Sequence, residues 1–65
     1  MELIINGEKE NHSVDNILDL VETKELEKSG LVVEHNKQVI KAENWNQKDL
    51  QEGDKIELIS FVGGG

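Results

Sequence analysis

Lys55-Ile56-Glu57-Leu58-Ile59-Ser60-Phe61-Val62, followed at once by Gly63-Gly64-Gly65, is the strongest strand signal in the chain. In an extended strand successive side chains alternate between faces, so Ile56, Leu58, Ser60 and Val62 point one way and Lys55, Glu57, Ile59 and Phe61 the other. Both faces turn apolar toward the C-terminal end. Such a strand belongs at the centre of a sheet, and its natural neighbour is the other apolar-rich segment, Glu2 to Asn6 at the opposite end of the chain. Placing the two side by side gives parallel strands, which need a long crossover between them.

The stretch between them supplies that crossover. Asn6-Gly7 is a hairpin signal and predicts that polar Glu8 to His12 returns as a second strand. Ser13 offers a helix N-cap, with Asp15 in the first turn where the macrodipole favours a carboxylate. Val14, Ile17, Leu18 and Val21 then recur at helical spacing, with Asp15, Asp19 and Glu22 on the opposite side. Ser29-Gly30 marks an exit loop, with Leu26 turned inward. Leu31-Val32-Val33 and Val39-Ile40 flank Asn36-Lys37 as a second antiparallel pair. Glu43 to Gln51 lacks alternation and reads as irregular chain with a short helical turn, packed by Trp45 and Leu50, and Glu52-Gly53-Asp54 is a turn. The expected architecture is α+β: a mixed sheet of four to five strands covered on one face by one main helix, over residues 1–62, with a flexible glycine tail at 63–65.

Composition narrows the function. A chain of 65 residues buries only about 60% of the surface its unfolded form exposes, so no deep catalytic cleft is expected. There is no cysteine, hence no disulfide, thiol nucleophile or Cys-based metal site. His12 and His35 are the only histidines, and neither lies in a pattern that supplies metal ligands or a triad. Both read as ordinary strand residues. Asp15, Asp19 and Glu22 read as solvated charge on an exposed helix face, and no metal is assigned. Seven lysines against fourteen acids leave a net charge of −7, which opposes binding to a phosphate backbone; nucleic acid is not an expected partner. No apolar run approaches a membrane span and the N-terminus lacks the basic start of a signal peptide, which predicts a soluble, cytoplasmic protein. The acidity serves solubility, or steers the chain toward a basic partner.

Two features invite a partner. One helix covers only one sheet face, so Ile59 and Phe61, with Ile4 of the first strand, form a candidate docking patch, unless Phe61 folds over the domain's own edge. The glycines, costly to order and unable to join a core, form either an inert end or a slim tail that carries its carboxylate into the active site of another protein. With a pKa of about 3.5 that carboxylate is ionised at neutral pH.

The segment Asn36-Lys37-Gln38-Val39-Ile40, then Trp45, then Leu50-Gln51-Glu52-Gly53-Asp54-Lys55-Ile56-Glu57-Leu58, and the ending Phe61-Val62-Gly63-Gly64-Gly65, resembles the ThiS family of sulfur carriers in thiamine biosynthesis. The resemblance is specific in the C-terminal half; Glu2 to Gly30 matches only in pattern, and Gly63 stands where some relatives carry Ala. It implies a β-grasp, ubiquitin-like fold and a protein that is not itself an enzyme. A ThiF-type adenylyltransferase would use ATP and magnesium to adenylate the carboxylate of Gly65, with Gly63 and Gly64 entering its channel. Sulfur from a cysteine-derived persulfide, supplied by a cysteine desulfurase or a rhodanese-like protein, would replace AMP. The resulting thiocarboxylate would feed thiazole synthase, ThiG. The carrier itself would bind no cofactor. Rival readings are the small subunit of molybdopterin synthase, a ubiquitin-like modifier, or a binding module with an inert tail.

Overall fold

A computed structural model describes residues 1–61. Val62, the expected end of the last strand, and the tail at 63–65 lie outside the described residues. Strand β1 (Glu2–Ile5) and strand β2 (Glu8–Asn11) form an antiparallel hairpin. Its turn residues Asn6 and Gly7 have φ of 50° and 83°, the positive pair that a two-residue hairpin matched to strand twist requires. The second hairpin repeats the device: β3 (Leu31–His35) and β4 (Gln38–Ile40) join through Asn36 and Lys37, at φ 49° and 75°. Strand β5 (Lys55–Ser60) lies between the hairpins, giving the order β2-β1-β5-β3-β4. It runs parallel to β1, with Ile5 beside Ile56, and antiparallel to β3 from Leu31 and Ser60 to His35 and Ile56. The expected parallel placement of the first and last strands is therefore observed, with β5 as the middle strand.

The helix α1 (Ile17–Thr23) is shorter than the spacing predicts and begins later. Ser13 does not cap it. Asn16 does, its Oδ1 accepting from the Asp19 N–H at 2.8 Å. The cause is long-range: Leu50 N–H donates to Asp15 O and Ile17 N–H to Lys48 O, and a bridge pairs Asn16 with Asp49. Asp15 and Asn16 are thereby tied to 48–50, so Asp15 precedes the helix and Asp19 supplies the carboxylate of the first turn. Starting at Ile17 also rotates the buried face to Ile17, Leu20 and Val21, all fully buried, and leaves Leu18 only partly covered. Val14 is buried but lies outside the helix.

One core forms between α1 and the sheet: Leu3, Ile5, Leu31, Val33 and Ile56 from the strands, with Val14, Trp45 and Leu50 closing its edges and Leu26 packed against it. Trp45 is on the 3₁₀ helix Ala42–Gln47, where the sequence predicts a short helical turn. Its indole N–H donates to Ile40 O at 2.8 Å, so burial of the large ring leaves no unpaired donor. Among the described residues no helix is long and apolar enough to cross a membrane.

Candidate functional site

The β5 strand is anchored on both edges and at its start. Entry comes from the turn at Gly53, whose φ of 86° a residue with a Cβ seldom adopts. Asp54, next in sequence, gathers three donors: His35 Nε2 at 2.7 Å, the Gln51 N–H at 2.9 Å and Asn36 Nδ2 at 3.2 Å. Burial works against the Asp54 carboxylate and is the largest single influence on it. The His35 bond, the Gln51 N–H and the Asn36 amide together outweigh burial and hold its pKa below the ordinary value. His35, 7% exposed on β3, thus satisfies its ring within the fold. On the far edge the Asn6 side chain takes the place of a strand residue, Oδ1 accepting from Leu58 N–H at 2.8 Å and Nδ2 donating to Leu58 O at 3.3 Å.

Beyond these anchors β5 presents its second face. Ile56 is buried and Leu58 half-buried on the helix side, whereas Ile59 is 39% and Phe61 74% exposed. Phe61 does not fold over the edge; its N–H donates to Gly30 O at 2.8 Å, continuing the pairing along β3. The register corrects the composition of the expected patch. Ile4 shares this face but pairs with Lys55, four residues back along β5 from Ile59, a separation of about 13 Å at the usual rise per residue. Val32, directly across from Ile59, is the true neighbour. Sequence reasoning also passed over Val39, 62% exposed, which stands on the same face across from Glu34. The signal was available, since adjacent Val39 and Ile40 cannot both face the core and Ile40 pairs with Val33.

His12 and several of the other acidic side chains are engaged locally. Glu10 Oε1 receives both Lys24 Nζ and His12 Nε2 at 2.8 Å, and these bonds, Lys24 first, hold its pKa below the ordinary value against the effect of burial. His12 lies just past β2 and not in it. Glu22 pairs with Lys28 at 2.8 Å, and Asp19 Oδ2 accepts from Asp15 N–H at 3.0 Å. Among the described residues no group of three or more His, Asp or Glu is placed to hold a metal ion. What the described surface offers is a strand hydrogen-bonded on both edges, followed in sequence by residues outside the described ones, Val62, Gly63, Gly64 and Gly65, beside an exposed apolar face.

Comparison with known proteins assigns a lineage to this arrangement. Residues 3–65 match the model of the ThiS family. The chain is 37% identical over 65 residues to the sulfur carrier protein ThiS of Bacillus subtilis, covering 97% of this chain and 98% of that protein. It is 32% identical over 66 residues to a thiazole synthase of Paramagnetospirillum magneticum, spanning all of this chain but a fifth of that protein's length. A crystal structure of a thiamine biosynthesis protein, ThiS, from Geobacter metallireducens superposes with a TM-score of 0.86 at 26% identity over the full length of both chains. The shared sheet and helix are those of the β-grasp fold.

Proposed function

The chain belongs to the ThiS family, and from that premise we propose that it is a sulfur carrier of thiamine biosynthesis, working in the cytoplasm as a co-substrate and not as a catalyst. The carrying observation is the end-to-end correspondence with the Bacillus subtilis carrier, which takes in 97% of this chain and 98% of that protein. The likeness to one fifth of a thiazole synthase adds weight to thiazole synthase as the acceptor of sulfur, because a segment similar to this whole chain is part of that polypeptide.

In the proposed cycle the Gly65 carboxylate attacks the α-phosphorus of ATP on a ThiF-type adenylyltransferase, with magnesium held by that enzyme, and pyrophosphate leaves. A persulfide sulfur from a cysteine desulfurase or a rhodanese-like protein then attacks the acyl carbon and displaces AMP. Cleavage of the sulfur–sulfur bond by a thiol leaves the thiocarboxylate, which thiazole synthase consumes. The chain contributes placement. A β5 strand pinned at Lys55 and Leu58 by Asn36 and Asn6 gives the tail a fixed origin, and the exposed Ile59 and Phe61 provide the apolar contact through which the adenylyltransferase takes hold. Glycine at 63 and 64 keeps the approach narrow.

Intact-mass spectrometry of the protein purified from its native host tests this reading. It is expected to show Gly65 as the free C-terminus and a fraction of molecules heavier by the replacement of one oxygen by sulfur. A native population wholly without that species while thiazole is being made, or a chain extended past Gly65, sinks the proposal.

A further inference from the structure

The outer sheet face sets two like charges at opposed positions of neighbouring strands. Pairing of β3 with β5 sets Glu34 directly across from Glu57, and like charges at opposed positions of neighbouring strands destabilise a sheet. Neither carboxylate has a hydrogen-bond or ion-pair partner among the described residues. The lysine nearest in strand order, Lys55, lies one register step away beside Ile4. Around the two glutamates the same face is apolar: Val32 and Ile59 form the adjoining pair, Val39 stands across from Glu34 on β4, and Phe61 lies beyond.

On the footing of the docking role proposed above, we infer that Glu34 and Glu57 are the charged half of that docking surface, fitted to a partner protein that lays one arginine across both carboxylates. The same partner covers Val32, Ile59 and Phe61 with apolar side chains. Opposed residues of an antiparallel pair have Cβ atoms about 5 Å apart, and a guanidinium with donors along two edges spans two carboxylates at that spacing better than a compact ammonium does. Docking converts a repulsion inside the carrier into an attraction between proteins. A second copy of this chain is a poor occupant, because it brings the same two glutamates and a net charge of −7. An anionic membrane surface is repelled for the same reason.

The test compares Glu34→Gln, Glu57→Gln, Phe61→Ala and a control, Glu25→Gln, which removes the same charge just after α1, on the side of the sheet opposite this face. Each full-length variant is assayed for its urea midpoint and for Kd and association rate with the purified ThiF-type adenylyltransferase of the same organism. The two sheet substitutions are expected to raise the midpoint and yet weaken binding by about tenfold, mainly through slower association, while Glu25→Gln changes neither. Opposite signs on stability and affinity are the signature of the inferred role. Unchanged affinity in both glutamine variants, with Phe61→Ala still weakened, overturns the inference and leaves the docking face standing. Indifference of Phe61→Ala as well removes the docking face itself. An equal loss in Glu25→Gln assigns the effect to net charge and also overturns the inference, as does a lowered midpoint in the sheet variants.

Discussion

Asn6 and Asn36, the first turn residues of the two hairpins, grip opposite edges of β5. Asn6 Oδ1 accepts from Leu58 N–H at 2.8 Å on the β1 side. Asn36 Oδ1 accepts from Lys55 N–H at 2.9 Å on the β3 side, and its own N–H donates to Lys55 O at 2.8 Å. Both residues have positive φ, a conformation asparagine tolerates better than most residues because its short polar side chain bonds locally. Each therefore makes the turn and the clamp at once.

Asn6→Ala removes both contributions, leaving the Leu58 N–H without its partner and putting a β-carbon residue with no local hydrogen bond at positive φ. The expected cost is about 1–3 kcal/mol, seen as a lower urea midpoint with an unchanged slope. Asn6→Gly keeps the conformation and loses only the clamp, so it should be milder. Equal losses in the two variants would show that the side-chain bonds to Leu58 carry all of the effect.

Asp54 gives the fold an acid limit. Its pKa is lowered in the folded state relative to the ordinary value of 3.8, so it stabilises the fold above that value and the contribution is lost as pH falls through the lower folded one. Glu10, lowered from 4.5 by Lys24 and His12, acts in the same direction slightly higher on the pH scale. Urea midpoints taken downward from about pH 5 should fall, and Asp54→Asn should flatten the lower part of that curve. A curve of unchanged shape in Asp54→Asn would assign the acid limb to other carboxylates.

Burial separates two neighbouring helix positions that look alike in sequence. Ile17 is fully enclosed whereas Leu18 is only partly buried. Ile17→Ala should cost about 2–5 kcal/mol, a large share of the stability of so small a domain, and Leu18→Ala distinctly less. Leu20→Ala should resemble Ile17→Ala. Midpoints that rank Leu18 with the other two would mean that α1 turns a wider face to the core than the described packing shows.

Much of this architecture is legible locally, and the parts that are not depend on pairings distant in sequence. Both hairpin turns, the apolar content of β1 and β5 and the packing roles of Trp45 and Leu50 are carried by neighbouring residues, and each expectation matches the structure. The helix start is different: Ser13 is a sound cap by itself, but the bonds from Lys48–Leu50 to Asp15 and Ile17 hand the cap to Asn16. The outer patch suffers likewise. Alternation puts Ile4, Ile59 and Phe61 on one face, yet only the parallel offset of Ile4 against Lys55 reveals that Val32, not Ile4, is next to Ile59. The His35–Asp54 bond joins residues 19 apart in sequence, and nothing in the neighbourhood of either one announces the other.

Gly65 is the position on which the proposed chemistry turns. In a reaction that needs the terminal carboxylate in line with the α-phosphate, a misplacement of about 1 Å costs on the order of a hundredfold in rate. Deletion of Gly65 moves the carboxylate back by a residue, a C-terminal tag replaces it by an amide, and Gly64→Val puts a branched side chain where a narrow approach is required. None of these changes touches the described core, whose buried members end at Ile56 with Leu58 packed against them. Circular dichroism and the urea midpoint should therefore stay at wild-type values. ATP–pyrophosphate exchange with the ThiF-type adenylyltransferase should meanwhile fall by about a hundredfold or more in all three variants. The tagged chain is the most exacting case, because it keeps every residue of the sequence and removes only the free acid. Exchange at the wild-type rate by that chain would mean that the glycines are an inert end, and the carrier function would have to be abandoned.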